Sequence, residues 1–152
     1  MTKRWAQDEP KKPRLLLIDD MDVLLPKLAE NFEKQGFEVV KMHLGESGHS
    51  DETMIHGKQA DAIRYAINSA NRIDAVVTDL NEPGGVPYGR YVVKDLKKSG
   101  FNGPIAVHSS EPDAEYASRL IEDGAIGFFS KKQPENTVAA LNEALAQGKG
   151  IV

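Results

Sequence analysis

At 152 residues, with 40% hydrophobic and 28% charged residues, the chain has the size and composition of one globular domain around a single core. A net charge of −4 argues against a strong field for nucleic acid or anionic membranes. The absence of cysteine excludes disulfides, thiolate zinc sites and cysteine nucleophiles, and fits a reducing compartment. No apolar run approaches the ~20 residues of a membrane span, and "MTKRWAQDEPKKP" lacks the apolar stretch of a signal peptide. Residues 1–13 are therefore expected to form a mobile polar tail on a cytoplasmic protein that contacts neither nucleic acid nor membrane.

From Arg14 onward, short apolar runs alternate with segments of helical period. "RLLLI" (14–18) is continuously apolar, as a strand buried on both faces should be. Residues 22–35 carry Leu24, Leu25, Leu28 and Phe32 at helical spacing. Pro26 lies in the first turn, where its missing N–H costs little, and Gly36 ends the helix. "FEVVKM" (37–42) predicts a second strand. "KQADAIRYAINSAN" (58–71) predicts a helix with Ala60, Ile63, Ile67 and Ala70 on its inner face. "IDAVVT" (73–78), "PIAVH" (104–108) and "AIGFFS" (125–130) predict three more strands. They are separated by helices at 89–100 and 112–124, and a last helix starts on Pro134 and runs to Gly148. Five strand–helix repeats over 14–148 imply an α/β domain with a parallel sheet and helices on both faces. The polar segment 43–57, with His43, His49 and His56, fits none of these elements and is expected to be a flexible insertion loop.

In a parallel sheet all strands end at one edge, and ligands bind outside those ends. Just past the first run come Asp19 and Asp20, past the third Asp79, past the fourth Ser109 and Ser110, and past the fifth Lys131 and Lys132. A lone Asp at a strand end is usually a turn former or helix cap, and a lone Ser or Lys is usually solvated. Four strand ends supplying these groups together are not explained that way. Three neighbouring carboxylates repel unless a cation joins them, and a donor set of hard oxygens matches Mg²⁺ or Mn²⁺. A lysine beside them suits a phosphoryl group, with Asp79 as candidate nucleophile for an aspartyl phosphate. His108, within the fourth run, reads as a packed neighbour of this site rather than a base.

At "LLLIDD", "VVTDLNEP", "PIAVHSS" and "GAIGFFSKK" the chain resembles the receiver domain of two-component response regulators, over about residues 14–147. The resemblance implies a flavodoxin-like (βα)5 doubly wound fold with strand order 2-1-3-4-5. It also implies metal ligands Asp19 and Asp20, with Asp79 as phosphoacceptor and a further ligand, and the backbone carbonyl of Asn81. Ser109 takes the place of the switch hydroxyl, Phe128 that of the switch aromatic, and Lys131 that of the phosphoryl contact. Asn81 and Glu111 occupy positions that tune dephosphorylation, a pairing similar to that of single-domain chemotaxis regulators.

The implied function is a stand-alone, non-enzymatic phosphoacceptor, monomeric or dimerising on phosphorylation. A histidine kinase or phosphotransfer protein supplies the phosphoryl group, and a downstream protein reads the face of helix four, strand five and helix five. The alternatives are a haloacid-dehalogenase-type phosphatase and a receiver from a larger phosphorelay protein. Against the phosphatase, Asn81 stands where the second acid of its Asp-x-Asp motif belongs. Two departures from the family pattern are visible. Gly89 lies two residues later than usual after the phosphoacceptor, and Lys132 replaces the usual proline.

Overall fold

The computed structural model describes residues 12–19, 24–44, 54–80, 88–109 and 114–150. Among these residues six strands, all parallel, form one sheet: β1 (Arg14–Asp19), β2 (Glu38–Leu44), β3 (Ile55–Gly57), β4 (Ala75–Asp79), β5 (Ile105–Ser109) and β6 (Gly127–Ser130). They lie in the order β3-β2-β1-β4-β5-β6. The five strands expected from the sequence thus stand in the flavodoxin-like order 2-1-3-4-5, and β3 is added at the edge beside β2. Among the described residues, α1 (Leu25–Lys34), α2 (Gln59–Ile67), α3 (Tyr88–Lys98) and α4 (Ala114–Asp123) lie between strands, and α5 (Pro134–Gly150) follows β6.

The strands are apolar on both faces because each face carries a layer of helices. Leu16, Ile18, Val76, Ile105 and Val107 pack with Ala62, Ile63 and Ala66 of α2, Val92, Val93 and Leu96 of α3, and Leu120 of α4. On the other face Leu15, Leu17, Ala75, Val77 and Ala106 pack with Leu25, Leu28, Ala29 and Phe32 of α1 and with Val138 and Leu141 of α5. Strand alternation of period two divides successive residues between these two cores.

Three details differ from the sequence-based expectation. The inner face of α2 is Ala62, Ile63 and Ala66, while Ile67 is exposed. The reason lies in "NSAN". Asn68 is extended and its side chain accepts from Ala70 N at 3.0 Å, ending α2 and capping a separate 3-10 turn at Ser69–Asn71. The segment 43–57 is not loop at its two ends. His43 and Leu44 complete β2, and Ile55–Gly57 pair with Met42–Leu44. Met54, buried in the second core, anchors that return, a single apolar contact that a window-based reading of a polar segment does not weigh. Residues 45–53, and residues 1–11 of the tail expected over 1–13, lie outside the described residues.

Gly89 fixes how α3 meets the sheet. Its N–H donates to Leu80 O at 2.8 Å, and a Cβ built on it would lie 2.7 Å from Leu80 Cα and also press on the Asp79 carbonyl oxygen. Only glycine allows that approach. Gly89→Ala is expected to lower stability by about 1–3 kcal/mol, because the obstructing atoms are backbone and cannot move aside. Urea unfolding followed by circular dichroism checks it.

Candidate functional site

The register brings the acidic strand ends together. β1 and β4 pair from Leu15↔Ala75 to Ile18↔Thr78, so the next residues, Asp19 and Asp79, stand side by side at the carboxyl edge. On the next strands out, Asp19 is paired with His43 and Asp79 with His108, giving one transverse row His43–Asp19–Asp79–His108. All four are buried.

Lys131 follows β6 directly, and its backbone N–H donates to Ser109 O at 2.9 Å. Its ammonium lies 3.0 Å from Asp19 Oδ2 and 3.1 Å from Asp79 Oδ2. Asp79 Oδ1 accepts from Leu80 N at 2.9 Å. The phosphoacceptor candidate is therefore oriented through both oxygens, by the backbone on one and the ammonium on the other. Burial alone would lower the Lys131 pKa. The charges of Asp19 and Asp79, and hydrogen bonds to both, more than offset it and hold the lysine above its ordinary value, permanently protonated.

Ser109 ends β5, half-buried, beside Ser130. Phe128 is paired in register with Val107, two residues before Ser109, so Ser109 and Phe128 share the sheet face of α2, α3 and α4. The Phe128 ring packs at 6.4 Å, tilted by 53°, on Tyr116 of α4, and the Arg119 guanidinium lies 6.0 Å from the Tyr116 ring centre. The structure thus brings Asp19, Asp79 and Lys131 into one cluster, with Ser109 and Phe128 at its flank. Asp20, Asn81 and Glu111 lie outside the described residues. Among the described residues no peptide bond is cis, the Lys131–Lys132 bond included.

Asp19 and Asp79 fit a hard divalent cation as two adjacent buried carboxylate ligands. Among the described residues no group of three or more His, Asp or Glu side chains is disposed to hold a metal; the remaining ligands expected from the sequence, Asp20 and the Asn81 carbonyl, fall outside them.

His108 is more integrated than its sequence position indicated. It is 1% exposed, stacks on Phe32 of α1 at 5.9 Å and 27°, and places Nε2 2.7 Å from Thr137 Oγ1 of α5. Its Nδ1 has no hydrogen-bond partner. Burial, and then the charge of Lys131, push its pKa down to about 3, so it stays neutral and cannot serve as a base with a solvent-exchangeable proton. Nothing in one sequence flagged Thr137 as its partner, because a threonine in a first helical turn ordinarily faces water.

The fold agrees with that of the solved structures the chain is similar to. The transcriptional regulatory protein PrrA of Mycobacterium tuberculosis is 30% identical over 138 residues, covering 91% of this chain and 52% of PrrA. The receiver domain of a response regulator from Clostridium thermocellum superposes with a TM-score of 0.69 at 20% identity, covering 92% of this chain and 99% of that one. A response regulator from Burkholderia pseudomallei, solved with a phosphorylated aspartic acid and a calcium ion, superposes with a TM-score of 0.64 at 21% identity, covering 91% and 71%. No protein-family model matches the chain. The chain thus has the fold of response-regulator receiver domains and is similar in sequence to response regulators. It spans about half the length, or less, of the curated relatives it matches.

The depressed His108 pKa makes a linkage prediction. The unfolded state, with a histidine pKa near 6.5, binds more protons than the folded state between that value and about 3. The His108 contribution to stability is therefore intact above pH 6.5 and is lost as pH falls, at up to about 1.4 kcal/mol per pH unit. His108→Phe is expected to flatten the acid limb of the stability curve over this window, measured by urea denaturation at stepped pH. Subtracting the variant from the wild type removes the carboxylate titrations the two share.

Proposed function

We propose that the chain is a signalling phosphoacceptor that takes a phosphoryl group on Asp79, with Mg²⁺ or Mn²⁺ held by Asp19, Asp20, Asp79 and the Asn81 carbonyl. The observation that carries this reading is the single ammonium of Lys131 shared by two buried carboxylates at the carboxyl edge of a parallel sheet. The phosphorylated aspartic acid and calcium ion of the Burkholderia pseudomallei response regulator support it.

In the transfer, the Asp79 carboxylate attacks phosphorus, the bond from phosphorus to the donor breaks, and the donor leaves with that bond's electron pair. Leu80 N–H on Oδ1 and Lys131 on Oδ2 fix the carboxylate before attack, so little reorganisation remains at the moment of reaction. Lys131 then neutralises the arriving phosphoryl oxygens. The metal, when bound, supplies further charge neutralisation on those oxygens. The donor is a histidine kinase or a phosphotransfer protein.

Ser109 and Phe128 form the switch: the hydroxyl turns to the phosphoryl group and the ring moves into the vacated space. Because Phe128 rests on Tyr116, that movement alters α4, and the α4–β6–α5 face is what a downstream protein reads. Asn81 and Glu111 orient the hydrolytic water, giving a short-lived acyl phosphate. The response regulators and receiver domains matched above favour this reading over a haloacid-dehalogenase-type phosphatase. Among the described residues no helix is long and apolar enough to cross a membrane, which is compatible with a cytoplasmic place. The match spans 52% of PrrA. The transcriptional role in PrrA's name is not carried over to this chain.

Incubation with acetyl phosphate and Mg²⁺ is expected to give a hydroxylamine-sensitive mass gain in the wild type and none in Asp79→Asn. Full labelling of Asp79→Asn would overturn the assignment. An unlabelled wild type, with these donors and with a histidine phosphotransfer domain, would remove the phosphoacceptor reading altogether.

A further inference from the structure

We propose that His108 and Thr137 form a positioning pair for Lys131, bracing the turn between β6 and α5 against β5 so that the ammonium stays between Asp19 and Asp79. The proposal rests on the phosphoacceptor reading above and adds to it a residue pair that never touches the phosphoryl group.

Two neighbouring residues of β5 hold the turn from the same side. Ser109 accepts the backbone N–H of Lys131 through its carbonyl at 2.9 Å. His108, one residue earlier, reaches Thr137 Oγ1 at 2.7 Å, six residues beyond Lys131 and inside the first turns of α5. Between these points the turn is closed on itself. Lys132 N donates to Ser130 Oγ at 3.1 Å, Gln133 N to Ser130 O at 3.2 Å and Asn136 N to Gln133 O at 3.1 Å. The segment carrying Lys131 is thus a short rigid link pinned to β5 at both ends. His108 is itself fixed, because its ring is stacked on fully buried Phe32 of α1 and its backbone carbonyl accepts Leu80 N at 2.9 Å. The same residue therefore touches the strand end of Asp79 through its backbone and the helix behind Lys131 through its side chain.

The chemistry of the pair suits the task. Thr137 is fully buried, so its hydroxyl has no access to bulk water as an alternative partner. The imidazole must carry its proton on Nε2 and donate to Thr137 Oγ1. That tautomer leaves Nδ1 as a bare acceptor, whereas the other would bury an N–H without a partner, the rarer and costlier defect. A neutral ring beside the ammonium neither repels it nor competes with it for the two carboxylates. An aliphatic side chain would fill the same space without tying β5 to α5.

The test is the rate of Asp79 labelling by acetyl phosphate with Mg²⁺, followed by intact mass in the full chain. Thr137→Val keeps the shape and removes the hydroxyl, and is expected to slow labelling about tenfold while Asp79 still labels to completion. Thr137→Ser restores the hydroxyl and is expected to return the rate to within about twofold of wild type. His108→Phe, which keeps a ring on Phe32, should match Thr137→Val, and the double variant should be no slower than the slower single variant, because the pair acts as one unit. Labelling of both single variants at the wild-type rate overturns the pair and leaves the phosphoacceptor reading standing, as does failure of serine to rescue. An unlabelled wild type overturns both. ¹⁵N shifts of His108 in the wild-type protein give a readout that needs no variant: protonation on Nε2 is expected, and protonation on Nδ1 overturns the proposal.

Discussion

One ammonium between two buried carboxylates is the interaction on which the rest of this structure depends. Removing three charges from water carries a penalty of several kcal/mol per ion, repaid only where geometry is close and further hydrogen bonds complete the set. Lys131 meets that condition at 3.0 and 3.1 Å, and Leu80 N–H on Asp79 adds to it. Such a cluster is poor evidence of design for stability, since apolar side chains of similar volume would stabilise the same place equally well. Its value is chemical. It holds a carboxylate oriented at the edge of the sheet where a ligand can arrive.

The fold supplies what this interaction needs from both faces of the sheet, and the two faces do different work. On the α1–α5 face, His108, in the same transverse row as Asp79, packs with Phe32 of α1 and Thr137 of α5. On the α2–α3–α4 face, Ser109 and Phe128 lie on one surface, with Phe128 leaning on Tyr116. For the proposed switch, a side that holds the charges and a side that carries an aromatic contact are complementary requirements. The changing contacts need something fixed to change against. The half-buried state of Phe128, against the full burial of Phe32, is in keeping with that division.

Most of the architecture was legible because a sheet covered on both faces writes continuous apolar runs into the sequence, and because Asp19, Asp79, Ser109 and Lys131 each follow such a run directly. What was not legible depended on single long-range contacts. β3 is three residues long, and its anchor is one methionine in a polar stretch. The rotation of α2 by its inner face follows from Asn68 leaving the helix early, a local hydrogen bond that competes with helical periodicity. The His108–Thr137 bond joins residues 29 apart on different elements, and neither residue type announces the other. Composition and period report faces; they do not report which polar groups find one another across a core.

The loop after Asp79 illustrates how a site can change while its frame does not. By spacing, Gly89 stands two residues further from the phosphoacceptor than in the family the chain resembles. In the structure Gly89 is nevertheless the residue whose missing Cβ lets α3 close on the backbone of Asp79 and Leu80. The constraint is therefore a contact, not a count. α3 must carry a glycine where it meets the strand, and in the sequence the additional length falls between Asp79 and that glycine. The Gly89 contact and the packing of Val92, Val93 and Leu96 in the core set the position of α3 on the sheet. Departure from the family's spacing thus leaves intact the contact of α3 with the backbone of Asp79 and Leu80.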